Sequence, residues 1–262
     1  MAEKERARAA REQVQREAEK SANSRTVWVI LGGLLTVAIV AVLIVVLASG
    51  GSGSGTKSSA TTPAGQAAPG GPETQQLLGG IPQKGFALGK ANAPLTMIEF
   101  NDMQCPVCKE YDAAVFPVLI DKYVRTGKLR MEMRLQSFIG PDSVKGGKAV
   151  AAAAKQNQAW PYYHLFYVNQ GEENSGYVTD DFLRSLGKAV PGLNVDKLMS
   201  DKDTPEAQAA LDKGKADFEA AGFTGTPSFL VGPTGGQLQK LDYTKLDPAE
   251  FTKQIDALLA QQ

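Results

Sequence analysis

Apolar positions along this chain change their spacing several times, and each change marks an element. Val27 to Leu47 contains no charged residue, and as a helix this run spans the roughly 30 Å of a membrane hydrocarbon core. Leu95–Phe100 is near-continuously apolar, as a strand buried on both faces should be, and Phe86–Leu88 is a shorter strand candidate before Gly89. Val107, Tyr111, Ala114, Val115, Val118, Leu119 and Tyr123 then recur at a helical period. They predict a helix from Pro106 to about Arg125, kinked by Pro117 and ended by Gly127. Leu129, Met131, Met133 and Leu135 alternate with Arg130, Glu132 and Arg134, the pattern of a strand with one wet face.

A helical stretch follows, from about Asp142 to Ala221. It comprises Ala149–Ala154, the aromatic segment Pro161–Tyr167, a helix over Asp180–Val190 capped by Thr179, and a last helix opened by Thr204-Pro205. Ser228–Val231 and Gln237–Leu241 flank the Gly-rich Gly232–Gly236 and read as a hairpin. Asp247 to Glu250 gives a capping-box start to a final helix ending near Leu259. The order strand, helix, strand, helical insert, hairpin, helix describes an α/β domain.

Composition adds a second level of organisation. Lys plus Arg and Asp plus Glu both number 28, so nothing in the overall charge points to nucleic acid. The charges are unevenly placed, however. Residues 1–26 form a charged head that reads as a solvated helix or tail, and residues 27–47 form the apolar run, with Trp28 as an interfacial anchor. Residues 48–82 are Gly, Ser, Thr, Ala and Pro with few large apolar side chains, a flexible tether, and residues 83–262 are globular in texture. A cleaved signal peptide ending at Val46-Leu47-Ala48 is the rival reading. The apolar run exceeds the roughly 7–15 residues of a signal core and the head is long, which favours an uncleaved anchor. Arg11, Arg16, Lys20 and Arg25 crowd the N-terminal flank, whereas the first basic residue beyond is Lys57. The expectation is a single-pass cell-membrane protein with a cytoplasmic N-terminus and its globular domain in a compartment where disulfides persist.

Cys105-Pro106-Val107-Cys108 holds the only two cysteines, at the junction of the first long strand and its helix. A thiol there faces unsatisfied N–H groups and the positive end of the helix dipole, which stabilise its thiolate, and a second thiol one turn later can close a disulfide. A zinc half-site would need further ligands, and the chain offers no other cysteine and one histidine, His164; no metal or cofactor is expected. A static bridge across so short a loop removes little chain entropy. Exchange of disulfides accounts best for the pair. Glu99 lies inside the apolar strand, where burial would raise its pKa and suit it to trade a proton with Cys108, unless it faces solvent instead. Pro227 at the start of a strand removes a ladder donor, so unless it is an ordinary turn proline a cis bond after Thr226 is expected, exposing backbone for a substrate strand. His164 reads as a helix-surface or packing residue, and the aromatics Trp160, Tyr162, Tyr163 and Tyr167 as core of the insert, unless some line the groove beside the active site.

The element order, Cys105-Pro-Val-Cys108, Glu99 six residues before it, and Gly225-Thr226-Pro227 together resemble the DsbA-like thiol–disulfide oxidoreductases, a thioredoxin fold with a helical insertion, here at about 140–222. The resemblance covers roughly Phe86 to Leu259. It implies Cys105 and Cys108 as the exchanging pair, Glu99 as the buried acid beneath them, and Pro106, Val107, Thr226 and Pro227 as the surface that meets substrate. It implies reduced or misoxidised secreted proteins as partners and a membrane re-oxidase. Two positions depart from the strongest oxidants: Val107 stands where the archetype has histidine, and Thr226 resembles the isomerases of the wider group, which carry an N-terminal dimerisation domain where this chain offers a low-complexity tether. The expectation is a monomeric oxidase of milder potential, with an isomerase, a reductase or a non-catalytic peptide-binding module as alternatives.

Overall fold

The near-continuous apolar run becomes the centre of a six-stranded mixed sheet. The structure is a computed structural model that describes residues 65–261; the charged head and the Val27–Leu47 run lie outside the described residues. Among those residues no helix is long and apolar enough to cross a membrane. The strands are β1 (Gln83–Lys84), β2 (Ala87–Leu88), β3 (Leu95–Asp102), β4 (Leu129–Gln136), β5 (Ser228–Pro233) and β6 (Gln239–Lys240), in spatial order β1-β2-β4-β3-β5-β6. β3 runs parallel to β4, with Leu95 opposite Leu129, and antiparallel to β5, with Glu99 opposite Phe229. Both faces of β3 are covered, which is why its sequence lacks alternation.

The helices are α1 (Gly71–Leu78), α2 (Pro106–Ala114), α3 (Phe116–Leu119, continued by a π-helical turn over Ile120–Val124), α4 (Pro141–Ala154), α5 (Ala159–Val168), α6 (Asp180–Ala189), α7 (Val195–Asp201), α8 (Pro205–Ala220) and α9 (Pro248–Leu259). The helix expected from Pro106 to Arg125 is thus divided at Val115, next to Pro117, and the chain leaves it at Gly127 with φ of 77°. Between β4 and β5 runs the insert, α4 to α8, where the aromatic α5 is almost wholly buried. Its polar tips find partners: Trp160 Nε1 donates to Phe86 O and Tyr162 OH to Leu183 O.

Four expectations need correction. The tether does not reach Pro82: Ala68, Leu78 and Ile81 are buried, and α1 forms over residues assigned to it. Its apolar residues are few, but Arg125 supplies what the composition hides, donating to the carbonyls of Gln76, Leu77 and Gly79 at the C-terminal end of α1. The charged face of β4 is not wet. Arg130, Glu132 and Arg134 form an ion-pair row that continues to Asp217 of α8, with Arg134 Nε 2.6 Å from Asp217 Oδ2. Thr204 makes no side-chain cap and donates to Asp201 O instead. At α9 Asp247 caps as expected, but Glu250 accepts from the Thr244 amide rather than completing a capping box.

α8 lies against β4 because Gly214 has no side chain: a Cβ there would sit 2.1 Å from Leu135 O. Gly214→Ala should therefore destabilise the domain by about 1–3 kcal/mol, read as a lower urea midpoint with an unchanged slope. An unaltered midpoint would show that the helix retreats at no cost.

Candidate active site

Pro106 opens α2 at its first turn, where its missing N–H is no loss, and Cys105 occupies the N-cap. The Cys108 amide donates to Cys105 Sγ across 3.3 Å, and the Cys105 thiol points at the carbonyl of Thr226, 3.4 Å away. Both thiols are unbridged and buried, Cys105 at 5% exposure and Cys108 at none. The Cys108 thiol beside it holds Cys105 down to about 6, helped by Thr226 and the amides of Cys108 and Val107 and opposed by burial. Burial pushes Cys108 the other way, well above the ordinary thiol range, and proximity to Cys105 adds to this. The pair therefore divides into one sulfur that ionises near neutrality and one that keeps its proton.

Thr226–Pro227 is cis, as expected. Tyr243 OH donates to Pro227 O across 2.7 Å, and residues 222–229 with 240–243 line an open groove of about 430 Å³. Pro106 and Val107 are exposed, Val107 at 41%. The substrate-facing residues expected from sequence thus lie at the surface beside Cys105 or in this groove.

Glu99 is buried, not solvent-facing, on the β3 face shared with Leu95 and Met97. Burial pushes its carboxyl up to about 8, Tyr163 and Asn101 oppose the rise, and the nearby Asp112 adds to it. Its hydrogen bonds go to Tyr163 OH and Asn101 Nδ2; none joins it to Cys108. Charge on Glu99 or on Cys108 raises the Tyr163 pKa further beyond what burial does. Asp112 on α2 completes the cluster with His164 of α5, whose Nδ1 lies 2.8 Å from Asp112 Oδ2. His164 is thus a partner of the cysteine-bearing helix, a correction to its reading as mere packing.

Sequence reasoning missed the residues that hold the Cys105 loop. The buried Asp102 carboxylate accepts from the amides of Gln104, Phe138 and Ile139 and from the Ser143 hydroxyl. Tyr167 OH donates to Asp102 O across 2.9 Å. The available signal was a pair of hydroxyl-bearing aromatics, Tyr163 and Tyr167, four residues apart on one helix face.

The thioredoxin family model matches residues 82–257. The "Probable disulfide bond formation protein D" of Bacillus cereus is 30% identical over 166 residues, covering 62% of this chain and 76% of that protein. The chain belongs to the DsbA-like thiol–disulfide oxidoreductases of the thioredoxin family. Two solved structures share the fold of this DsbA-like chain. Oxidised BdbD from Bacillus subtilis aligns with a TM-score of 0.59 at 21% identity, over 69% of this chain and 97% of its own. Alpha-DsbA1 from Wolbachia pipientis gives 0.58 at 21% identity, over 72% and 96%.

The Glu99 shift has a thermodynamic sign. Between about 4.5 and 8 the native state of this oxidoreductase holds a carboxyl proton that the unfolded chain has released, so Glu99 makes folding less favourable as pH rises through that window. Glu99→Gln removes the effect. Its stability relative to wild type should rise by on the order of 3 kcal/mol between pH 5 and pH 8, measured by urea unfolding at both. Parallel stability curves would contradict the assignment.

Proposed function

We propose that this chain is a membrane-tethered dithiol oxidase that introduces disulfides into proteins outside the cytoplasm. The observation that carries the direction is the unequal pair: a Cys105 thiolate held down to about 6 stabilises the reduced state, and stabilising the reduced state makes the disulfide an oxidant. The name of the Bacillus cereus relative supports the same direction. The apolar run Val27–Leu47 and the basic flank before it support the anchor and its orientation.

In this reading a substrate thiolate attacks Cys105 Sγ of the enzyme disulfide. The Cys105–Cys108 bond breaks, a mixed disulfide forms, and Cys108 leaves and takes up a proton, as its raised pKa demands. A second substrate thiolate then attacks the substrate sulfur of the mixed disulfide. Cys105 departs as the thiolate, a good leaving group because its pKa is low. The substrate has lost two electrons and two thiol protons; the enzyme holds the electrons as Cys105 and Cys108, reduced. A membrane re-oxidase would accept them. Val107, in place of histidine, brings no side-chain cation to the sulfur, which supports a potential below that of the strongest oxidants.

The test is the equilibrium of the full-length chain, in detergent, with a glutathione redox buffer. A potential above about −200 mV is expected, between the roughly −120 mV of the strongest DsbA oxidant and the roughly −270 mV of thioredoxin, with fast oxidation of a reduced model substrate. A value in the thioredoxin range would make the chain a tethered reductant. Alkaline carbonate extraction should leave the chain in the membrane pellet; its release into the supernatant would remove the anchor from the proposal.

A further inference from the structure

Every residue from Asp102 to Cys105 is tied to one short stretch of the insert. Tyr167 OH donates to Asp102 O, and Gln170 Nε2 donates to Met103 O across 2.9 Å and to Cys105 O across 3.3 Å. The Gln104 side chain and Asn174 bind each other: the Asn174 amide donates to Gln104 Oε1 across 2.7 Å, and Gln104 Nε2 donates to Asn174 Oδ1 across 3.3 Å. The stretch is held in turn from the cysteine side, because Lys109 Nζ donates to Gln170 O across 3.2 Å. This is more than a helix N-terminus requires. The Cys105 carbonyl already accepts from the Lys109 amide in the first turn of α2, so the Gln170 amide is a second donor to an oxygen that is already satisfied.

We propose that Gln170 is a positioning residue for thiol–disulfide exchange: its side-chain amide pins the carbonyls on either side of Gln104, which fixes Cys105 Sγ over the N–H groups of α2 and weakens the negative field of those carbonyls at the sulfur. The physical reason is local. A thiolate at an N-cap gains from the amides it faces and loses from carbonyl oxygens turned towards it, and a loop free to rotate a peptide exchanges the one for the other. Gln170 closes that freedom at both peptides while adding a donor dipole beside each oxygen. It does so from outside the motif, through backbone alone.

The groups facing the sulfur leave this role open. Cys108 is on its own helix, Tyr167 approaches from α5 and Tyr243 from the segment after β6. Both tyrosines are pushed up by burial and stay neutral. The Asp102 carboxylate in the loop is engaged by three amides and the Ser143 hydroxyl, and the Lys109 ammonium is engaged by Gln170 O. Beyond the Cys108 thiol and the Thr226 contact, stabilisation of the thiolate rests on the peptide groups that face it, and Gln170 holds two of the neighbouring peptides. The inference rests on thiol–disulfide exchange itself and not on its direction, so a reducing potential for the wild type would sink the oxidase and leave this proposal standing.

The experiment compares the wild-type full-length chain with Gln170→Met, which keeps the volume and loses the amide, and with Asn169→Ala. Asn169 bonds to Pro69 O and Leu165 O and touches no carbonyl of the Cys105 loop, so it controls for general loosening at the end of α5. Two quantities are read: the pH midpoint of Cys105 alkylation in the reduced protein, and the equilibrium constant with glutathione. Gln170→Met should raise the midpoint by about half to one pH unit and move the glutathione equilibrium about two- to tenfold towards the disulfide form, while Asn169→Ala leaves both in place. Gln170→Glu, which puts a carboxylate beside the two carbonyls, should move both further in the same direction and supplies the reading if the Met variant fails to fold. Wild-type values for both quantities in a folded Gln170 variant would overturn the proposal, whatever the thermal midpoint does. So would an equal shift in Asn169→Ala.

Discussion

A thiolate gains from the end of a helix only while the peptide groups facing it cannot turn away. That requirement is severe here, because Met103 and Gln104 join a strand to a helix and belong to neither element. The Asp102 carboxylate accepts from the amides of Gln104, Phe138 and Ile139 and from Ser143, and so fastens the loop to the one after β4. Burial raises the pKa of Asp102, and these four donors work against that rise. From the other side, α5 and the residues after it supply donors to the loop carbonyls. The helical insert is therefore a second wall of the active site and not a decoration on a complete thioredoxin core.

Beneath that wall lies a polar cluster in a place where polar atoms are expensive. Glu99, Asp112 and the Tyr111 hydroxyl are fully or almost fully buried between β3, α2 and α5, and Glu99 Oε2, Asp112 Oδ1 and Tyr111 OH have no protein partner. Burial pushes both carboxyls up; His164 opposes the shift at Asp112, and Tyr163 and Asn101 oppose it at Glu99. The nearby Asp112 adds to the rise at Glu99, and Asp112 itself lies one turn along α2 from Cys108, whose thiol keeps its proton.

Much of this was legible from spacing alone. The strand around Glu99, the helix after Cys105, its interruption at Pro117 and the cis bond before Pro227 each follow from a local rule with a steric or hydrogen-bond cause. The losses have a common physical origin. α1 was hidden because partners that hold it lie far along the chain, among them Arg125, about fifty residues away. The charged face of β4 looked wet because alternation reports polarity, while the ion pair to Asp217 lets a helix cover that polarity. Asp102, Gln104 and Gln170 are ordinary polar residues until folding brings the two loops together, and no short motif marks them.

Tyr163 and Tyr167 share a face of α5 with the aromatic side chains that fill the insert, their rings 4.8 Å apart at the centroids, and their hydroxyls end on Glu99 and on the Cys105 loop. Packing and chemistry are therefore carried by the same two rings. Any substitution that tilts α5 to accommodate a neighbour also moves the groups that govern the cysteines. In evolutionary terms the insert ties its apolar core to the active site: drift in that core reaches Glu99 and the Cys105 loop while both sulfurs and the two residues between them stay untouched.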